Sequence, residues 1–189
     1  MLFAFMAACF RSSFSPDELP DMRKSVAVFL AFTALAGGAT VGYFHFSAHP
    51  VAQAPVDFHL PDLHGQTRAL DDWAGQVRVV NFWAPWCPPC RREVPELIAL
   101  HGQYVDQGLV VLGITVDSAA NARDFAVTSG INYPLLLAED TGIALARRFG
   151  NPVDALPFTA VLDRTGRIVH TRAGGISRSE AERVIKPLL

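Results

Sequence analysis

The residues of this sequence with the most evident chemistry are two cysteines separated by two prolines, Trp86-Cys87-Pro88-Pro89-Cys90. Cysteines at this spacing lie on one face of the first turn of a helix, close enough to form a disulfide. Cys87 precedes the predicted helix, where free backbone N–H groups and the positive end of the helix dipole favour a thiolate. Thiols in such settings have pKa values of about 3.5–7.5 instead of about 8.5. The pattern therefore predicts a redox centre in which Cys87 attacks and the more shielded Cys90 resolves.

Two structural interpretations of the cysteine pair are less favourable. A structural zinc site needs about four ligands. The sequence holds no second C-x-x-C, and His59, His64 and His101 lack ligand spacing around the pair; we expect these histidines at the surface, and no metal. A purely structural disulfide across so short a loop would constrain the unfolded chain little. Redox chemistry remains the favoured interpretation.

The elements around the pair alternate between strand and helix. An apolar run at residues 77–83 has the length of a buried strand, and residues 88–107 carry apolar side chains at helical spacing. Further strands are predicted at residues 56–60, 109–116, 133–137 (strand or loop), 158–162 and 167–171. Further helices are predicted from the cap Ser118 to residue 129, at residues 141–149 with Gly150 after the last turn, and after a cap at Ser177 or Ser179. This order indicates an α/β fold, a mixed β-sheet with helices on its faces.

The N-terminal part of the chain contains a candidate membrane segment. Residues 25–46 include no Asp, Glu, Lys or Arg, and a helix of this length spans a hydrocarbon core of about 30 Å. Arg23 and Lys24 precede the segment, and the next Lys or Arg is Arg68, so the N-terminus is predicted on the cytoplasmic side. We therefore predict a transmembrane signal anchor at residues 23–46. A cleaved signal peptide, ending at Ala36 or Ala54, is the alternative.

The remaining domain boundaries follow from composition. Residues 1–22 fit neither an anchor nor a signal peptide, and we expect them to be a non-native or cytoplasmic extension, with translation starting at Met22. Residues 47–55 are small, polar and proline-punctuated, as in a linker. Residues 56–189 are predicted to form one domain.

The overall composition narrows the possible functions. Half of the 189 residues are apolar, which excludes a largely disordered chain. The 16 basic and 18 acidic residues give a formal net charge of −2. Without a basic excess to neutralise phosphates, nucleic-acid binding is not expected.

The chain also resembles a known family. The stretch NFWAPWCPPCRREVPEL, followed in order by VVLGITVD, YPLLL and ALPFTAVLDRTGRIVHTRAGG, is similar to the membrane-anchored, thioredoxin-like thiol–disulfide oxidoreductases of the TlpA/ResA type. The resemblance covers residues 56–189. It implies a thioredoxin-like fold with extra N-terminal strands and a central insert. It also implies a single-pass protein of the bacterial inner membrane whose catalytic domain lies in the periplasm.

The resemblance assigns roles to five residues. Cys87 matches the nucleophile and Cys90 the resolving cysteine. Pro157 matches a cis-proline that faces the active site, which would leave the backbone of Leu156 free to pair with an extended client segment. Glu93 matches an acidic residue near the pair and would exchange a proton with Cys90.

Two neighbouring positions refine this picture. Asn81 stands where cytosolic thioredoxins have a buried aspartate, which strengthens Glu93 as the proton-exchanging group. A poorly solvated carboxyl group at Glu93 is expected to have a raised pKa.

Trp86 is predicted to form an exposed apolar platform for clients beside Cys87, whereas Phe82 and Trp83 are predicted in the core.

These features predict an extracytoplasmic thiol–disulfide oxidoreductase, specifically a protein-disulfide reductase, that uses no cofactor. Its partners would be client proteins with disulfides and an upstream membrane thiol donor, and we expect a monomer. A thiol reductase for cytochrome c maturation remains open. A peroxiredoxin-like peroxidase is disfavoured because Ala84 stands where such enzymes carry Thr or Ser. A non-enzymatic binding module would require dispensable cysteines.

Overall fold

The computed structural model describes residues 56–189. The predicted extension, anchor and linker within residues 1–55 lie outside the described residues. The strands are β1 (His59–Pro61), β2 (Thr67–Ala69), β3 (Val77–Trp83), β4 (Leu109–Thr115), β5 (Leu135–Leu137), β6 (Phe158–Leu162) and β7 (Ile168–Ala173). The α-helices are α1 (Pro88–Tyr104), α2 (Ala119–Ser129), α3 (Gly142–Arg148) and α4 (Arg178–Ile185). Short 3-10 helices cover Leu70–Trp73, Val105–Gln107 and Lys186–Leu188.

The main sheet has five strands in the order β5-β4-β3-β6-β7. Strands β3, β4 and β5 are parallel to one another, β6 pairs antiparallel to β3, and β7 pairs antiparallel to β6. Central strands of such a sheet are covered on both faces and read as continuous apolar runs, and β3 and β4 are buried along their whole length. The predicted mixed sheet is confirmed. Strand β3 ends directly before the cysteine pair, so the centre of the sheet positions the site.

The N-terminal strands form a separate hairpin. β1 and β2 pair antiparallel, and one isolated bridge joins Asp62 to Leu136 of β5. The sequence pattern predicted a strand at residues 56–60, whereas the strand begins at His59. Because only the central residue of β1 is buried, no alternating apolar pattern marks its ends. The extra N-terminal strands implied by the resemblance are present.

The helix ends follow the predicted capping chemistry. The Ser118 hydroxyl accepts a hydrogen bond from the N–H of Asn121, and the Ser177 hydroxyl accepts one from the N–H of Glu180. Ser177, rather than Ser179, is therefore the cap of α4. Gly150 follows α3 with a φ of +97°, a conformation that glycine adopts without steric cost.

Each face of the sheet carries its own apolar core. On one face, the Phe82 ring packs against Phe149 and Phe158, with centroids 5.5 and 6.1 Å away. On the other face, Trp83 packs with residues of α1 and α4 in a cluster that contains both cysteines. The predicted burial of Phe82 and Trp83 is confirmed. The redox centre is thus built on a rigid, close-packed support.

One histidine prediction was wrong. His101 lies on the buried face of α1, and its Nδ1 accepts a hydrogen bond from the Val111 N–H at 3.4 Å. Burial lowers the pKa of this imidazole, because the charged form is poorly solvated there. His101 is therefore part of the packing between helix and sheet, whereas His59 and His64 are exposed as expected.

No helix within residues 56–189 combines the length and the hydropathy that a membrane span requires. The predicted transmembrane segment at residues 23–46 lies outside the described residues.

Candidate active site

The turn between β3 and α1 presents Cys87 at the start of the helix. The N–H of Cys87 donates to the carbonyl of Ala84 at 3.1 Å, which closes the turn. Cys87 is the N-cap of α1, with the extended backbone (φ −85°, ψ 109°) that this position requires. Its side chain therefore lies at the N-terminal end of the helix, where unpaired N–H groups of the first turn can reach it only from non-proline residues.

The first turn of α1 supplies the sulfur of Cys87 with a single hydrogen-bond donor. Pro88 and Pro89 occupy the first two helical positions and have no N–H. The remaining N–H, that of Cys90, donates to Cys87 Sγ at 3.3 Å. Two prolines in the first turn thus leave one N–H for the sulfur, and the helix dipole adds to its effect.

Cys87 and Cys90 form a disulfide, with Cα atoms 5.3 Å apart. Cys87 retains 3% of its surface exposed and Cys90 retains none. Of the two cysteines, Cys87 alone therefore presents any surface to an incoming thiolate or disulfide. This arrangement fits the predicted division between an attacking and a resolving cysteine, which itself stays a prediction.

The surface beside Cys87 is apolar. Trp86 is 65% exposed, although large aromatic residues are usually well buried. Leu156 is half-buried and packs against the cluster that contains both cysteines. Trp86 and Leu156 are thus available to an apolar client segment at the site, as the sequence predicted. Their role in binding stays a prediction.

Pro157 precedes β6 at the same end of the sheet as the cysteines. Phe158 of β6 pairs with Phe82 of β3, so the residues before β6 lie beside those that follow β3. The Leu156–Pro157 peptide bond is cis, as the resemblance implied. The carbonyl of Pro157 accepts the N–H of Gly174 at 2.8 Å, which fixes this segment to the start of the loop after β7.

Glu93 lies one turn after Cys90 on α1 and is almost completely buried, with 3% exposed. Its Oε1 accepts from Asn81 Nδ2 at 2.7 Å, and its Oε2 accepts from the Ile176 N–H at 2.9 Å. Burial is the largest influence on this group and raises its pKa to about 7, against the lowering effect of the two hydrogen bonds. The raised pKa confirms the expectation for a poorly solvated carboxyl group. Glu93 can therefore gain or lose a proton near neutral pH.

An open groove of about 580 Å³ connects Glu93 with the surface. Pro89 and Glu93 of α1 form one wall, and the segment from Gly175 to Ser179 forms the other. The groove begins at the first turn of the redox helix, so protons from solvent reach Glu93 without passing through the apolar core.

The contacts of Asn81 were not predicted from the sequence. Its Nδ2 donates to Thr159 Oγ1 at 3.0 Å as well as to Glu93. The resemblance pointed to this position, because cytosolic thioredoxins have a buried aspartate there. The backbone partner Ile176 carried no such signal, because a main-chain N–H is independent of residue type.

The raised pKa of Glu93 makes the stability of the protein depend on pH. In the folded protein the pKa is about 7 against 4.5 for the ordinary carboxyl group, so the folded state binds more protons between these values. The free energy of unfolding therefore falls as pH rises through this range. Glu93→Gln does not titrate, and we expect it to be more stable than the parent at pH 8 by about 3 kcal/mol.

Chemical denaturation at pH 8 and pH 5 measures this difference. The advantage of Glu93→Gln should shrink at pH 5, where Glu93 is itself largely protonated. The exposed Glu96 of the same helix provides the matched control, Glu96→Gln, for which no such pH-dependent gain is expected. Equal unfolding free energies for Glu93→Gln and the parent at pH 8 would show that Glu93 is ionised at no cost.

Known proteins that are similar to this chain include thiol–disulfide oxidoreductases. The model of the AhpC/TSA family matches residues 51–171. The thiol-disulfide oxidoreductase ResA of Halalkalibacterium halodurans is 30% identical, over 88% of this chain and 94% of that protein.

Two solved structures share the fold. A thiol:disulfide interchange protein of the thioredoxin family from Chlorobium tepidum is 26% identical, with a TM-score of 0.63 over 74% of this chain and 99% of that one. A secreted thiol-disulfide isomerase from Corynebacterium glutamicum is 28% identical, with a TM-score of 0.63 over 74% of this chain and 95% of that one. These structures confirm the thioredoxin-like fold class.

Residues Cys87 and Cys90 form the C-x-x-C disulfide of this fold, and Ala84 offers no hydroxyl to support peroxide chemistry. The fold, the disulfide and the relatives lead to one conclusion: the chain belongs to the AhpC/TSA family of thioredoxin-like proteins and is a thiol–disulfide oxidoreductase of the ResA type.

Proposed function

We propose that this chain is an extracytoplasmic protein-disulfide reductase whose WCPPC centre transfers electrons to client disulfides. The observation that carries the proposal is the position of Cys87. Its sulfur caps α1 and accepts the available first-turn N–H, and Cys87 is the cysteine of the pair that retains exposed surface. A thiolate is both favoured and accessible there.

In the first step, the Cys87 thiolate attacks one sulfur of a client disulfide. A mixed disulfide forms between Cys87 and the client, and the other client sulfur leaves as a thiolate that takes a proton. Trp86 and the backbone of Leu156 would hold the client segment beside the sulfur. Backbone pairing of this kind suits extended chains of many sequences.

In the second step, Cys90 attacks the Cys87 sulfur and releases the second client thiolate. The Cys90 thiol first loses its proton, and Glu93, one turn away in the same poorly solvated region, is the acceptor we propose. The products are a reduced client dithiol and the Cys87–Cys90 disulfide seen in the structure. Two electrons and two protons pass to the client in each cycle.

An upstream membrane thiol donor would then reduce the disulfide again. No metal, nucleotide or flavin takes part in this scheme, and the protein would act as a monomer on disulfide-bearing clients. Cytochrome c apoproteins, whose haem-binding cysteines must be reduced, are the alternative specific client class. The same chemistry would serve them.

The extracytoplasmic location is supported by the sequence. The uncharged run at residues 25–46 follows Arg23 and Lys24, a charge distribution that directs the chain after it out of the cytoplasm. The related isomerase from Corynebacterium glutamicum is described as secreted. We therefore place the protein in the bacterial inner membrane, with its catalytic domain in the periplasm.

A reporter fusion tests this topology. A reporter that is active only outside the cytoplasm, fused after Leu189, should be active in the parent. A matched fusion in which Arg23 and Lys24 are replaced by Glu should lose most of that activity, because the orientation signal is removed. Activity of a cytoplasm-specific reporter after Leu189 in the parent would overturn the proposed location.

Alkylation of the reduced protein tests the role of Cys87. At mildly acidic pH, iodoacetamide should label Cys87 well before Cys90, because only Cys87 combines a capping N–H with access to solvent. The label is assigned by peptide mass mapping. Equal labelling of the two cysteines would contradict the proposed division of roles.

A further inference from the structure

The carboxylate of Glu93 faces a hydrogen-bond donor at each oxygen. Asn81 Nδ2 lies 2.7 Å from Oε1, and the Ile176 N–H lies 2.9 Å from Oε2. This arrangement satisfies the ionised carboxylate, which only accepts hydrogen bonds. A protonated Glu93 needs an acceptor for its own O–H, and neither donor can provide one in the orientation that the structure shows.

The two donors differ in what they can become. The Ile176 N–H belongs to the main chain and can only donate. The Asn81 side chain ends in an amide, whose oxygen and nitrogen exchange places when the group turns by 180°. Among the two partners, only Asn81 can therefore offer an acceptor to a protonated Glu93.

We propose that the amide of Asn81 turns by 180° when Glu93 takes up a proton, so that Asn81 Oδ1 accepts from the Oε1–H of Glu93. Asn81 then acts as a positioning residue that matches both protonation states of Glu93. This inference rests on the role of Glu93 in the proposed function. It assigns to Asn81 a task that an aspartate at this position could not perform, because a second carboxylate would repel the first.

The other partner of Asn81 fits both orientations. Thr159 Oγ1 lies 3.0 Å from Asn81 Nδ2 and accepts from it. A hydroxyl both donates and accepts, so Thr159 can donate to Oδ1 after the amide turns. In the structure, Glu93 Oε1 and Thr159 Oγ1 both accept from Asn81 Nδ2. After Glu93 is protonated and the amide has turned, both would donate to Asn81 Oδ1.

The amide of Asn81 has one unpaired atom in either orientation. Asn81 is fully buried, and its Oδ1 has no hydrogen-bond partner among the described residues. A half-turn places Nδ2 where this oxygen was, so each orientation leaves one amide atom without a protein partner. The NH2 group, with two donors, loses more there than the oxygen did, so the new hydrogen bonds from the protonated Glu93 and from Thr159 must decide in favour of the turned amide.

Other ionisable groups near Glu93 come from several elements. The groove that Glu93 lines also holds Arg92 and Glu96 of α1 and Arg178 and Glu182 of α4. On the sheet side lies the buried Tyr133, whose pKa is raised by burial and by the charge of Glu93. Cys87 and Cys90 do not titrate while they are joined in the disulfide. A test on the oxidised protein therefore needs a control that removes the titration of Glu93 alone.

The proposed turn predicts a pH-dependent contact that NMR can observe. In the oxidised, ¹⁵N- and ¹³C-labelled full-length chain, nuclear Overhauser contacts between the Nδ2 protons of Asn81 and the side chain of Thr159 should be strong at high pH. They should fade at low pH, with the same midpoint as the carboxyl ¹³C shift of Glu93. In Glu93→Gln, the contacts should not depend on pH.

Contacts that persist while Glu93 titrates would overturn the proposal, because Asn81 would then be a fixed donor and the carboxyl proton would face the groove. A pH-dependent loss of contact that remains in Glu93→Gln would overturn it as well. The proposed function fails in a different way. In that case, Glu93→Gln would leave the rate of mixed-disulfide resolution unchanged, even though the NMR contacts show that the Asn81 amide turns when Glu93 is protonated.

Discussion

Replacing the attacking cysteine, Cys87→Ser, is expected to lower the rate of disulfide reduction at least about a thousandfold. A serine hydroxyl is not ionised near neutral pH and is a far weaker nucleophile towards disulfide sulfur. The effect is measured as turnover of insulin, a model disulfide client, with a dithiol as electron donor. The same assay separates an enzyme from a thioredoxin-like binding module, which would need neither cysteine.

Cys90→Ser is the matched control for this experiment. It should also lose turnover, but by a different route, because Cys87 still attacks and the mixed disulfide then persists. One stoichiometric release of client thiolate should therefore occur in Cys90→Ser and be absent in Cys87→Ser. Full turnover by Cys87→Ser would show that the chemistry lies elsewhere in the chain.

Glu93→Gln is expected to slow the resolution of the mixed disulfide by about a hundredfold at pH 8, the lower end of the range for acid–base catalysis. The substitution keeps the shape of the side chain and removes the proton acceptor. In the parent, the rate of resolution should rise with pH through about 7, the pKa of Glu93, because the ionised form accepts the Cys90 proton. Glu93→Gln should lack this step.

Stopped-flow measurements from pH 5 to pH 9 would separate the two steps of the reaction. Capture of the client by Cys87 should change little in Glu93→Gln, since the attacking thiolate forms without Glu93. Glu96→Gln, on the exposed side of the same helix, should match the parent in both steps. Identical pH profiles for Glu93→Gln and the parent would mean that water alone carries the proton of Cys90. Because neighbouring ionisable groups are coupled, the measured values are apparent pKa values.

Much of the fold could be predicted because the central strands are unambiguous. β3, β4 and β6 are fully buried and almost wholly apolar, so local composition alone marks them. The prediction placed the short strand β1 too early in the chain, since its bounds are set by its pairing with β2. His101 was misplaced for a similar reason: its burial follows from the packing of α1 on β4.

The site could be predicted only in part. The spacing of Cys87 and Cys90 and the helix that follows them indicate a redox pair without any tertiary information. The surroundings of Glu93 could not be predicted, because they join three distant segments. Asn81 lies 12 residues away along the chain and Ile176 lies 83 residues away. Only the packing of α1 across the end of the sheet brings these groups together.

The central claim is that Cys87 attacks client disulfides outside the cytoplasm and that Cys90 releases them. The most direct test expresses the full-length Cys90→Ser chain in cells, quenches free thiols with acid and alkylating agent, and maps the covalent adducts by mass spectrometry. Mixed disulfides between Cys87 and exported proteins are expected, and apocytochromes among them would identify that narrower client class. Cells that express Cys87→Ser should yield no such adducts. Equal adducts in the two variants, or adducts with cytoplasmic proteins alone, would contradict the account.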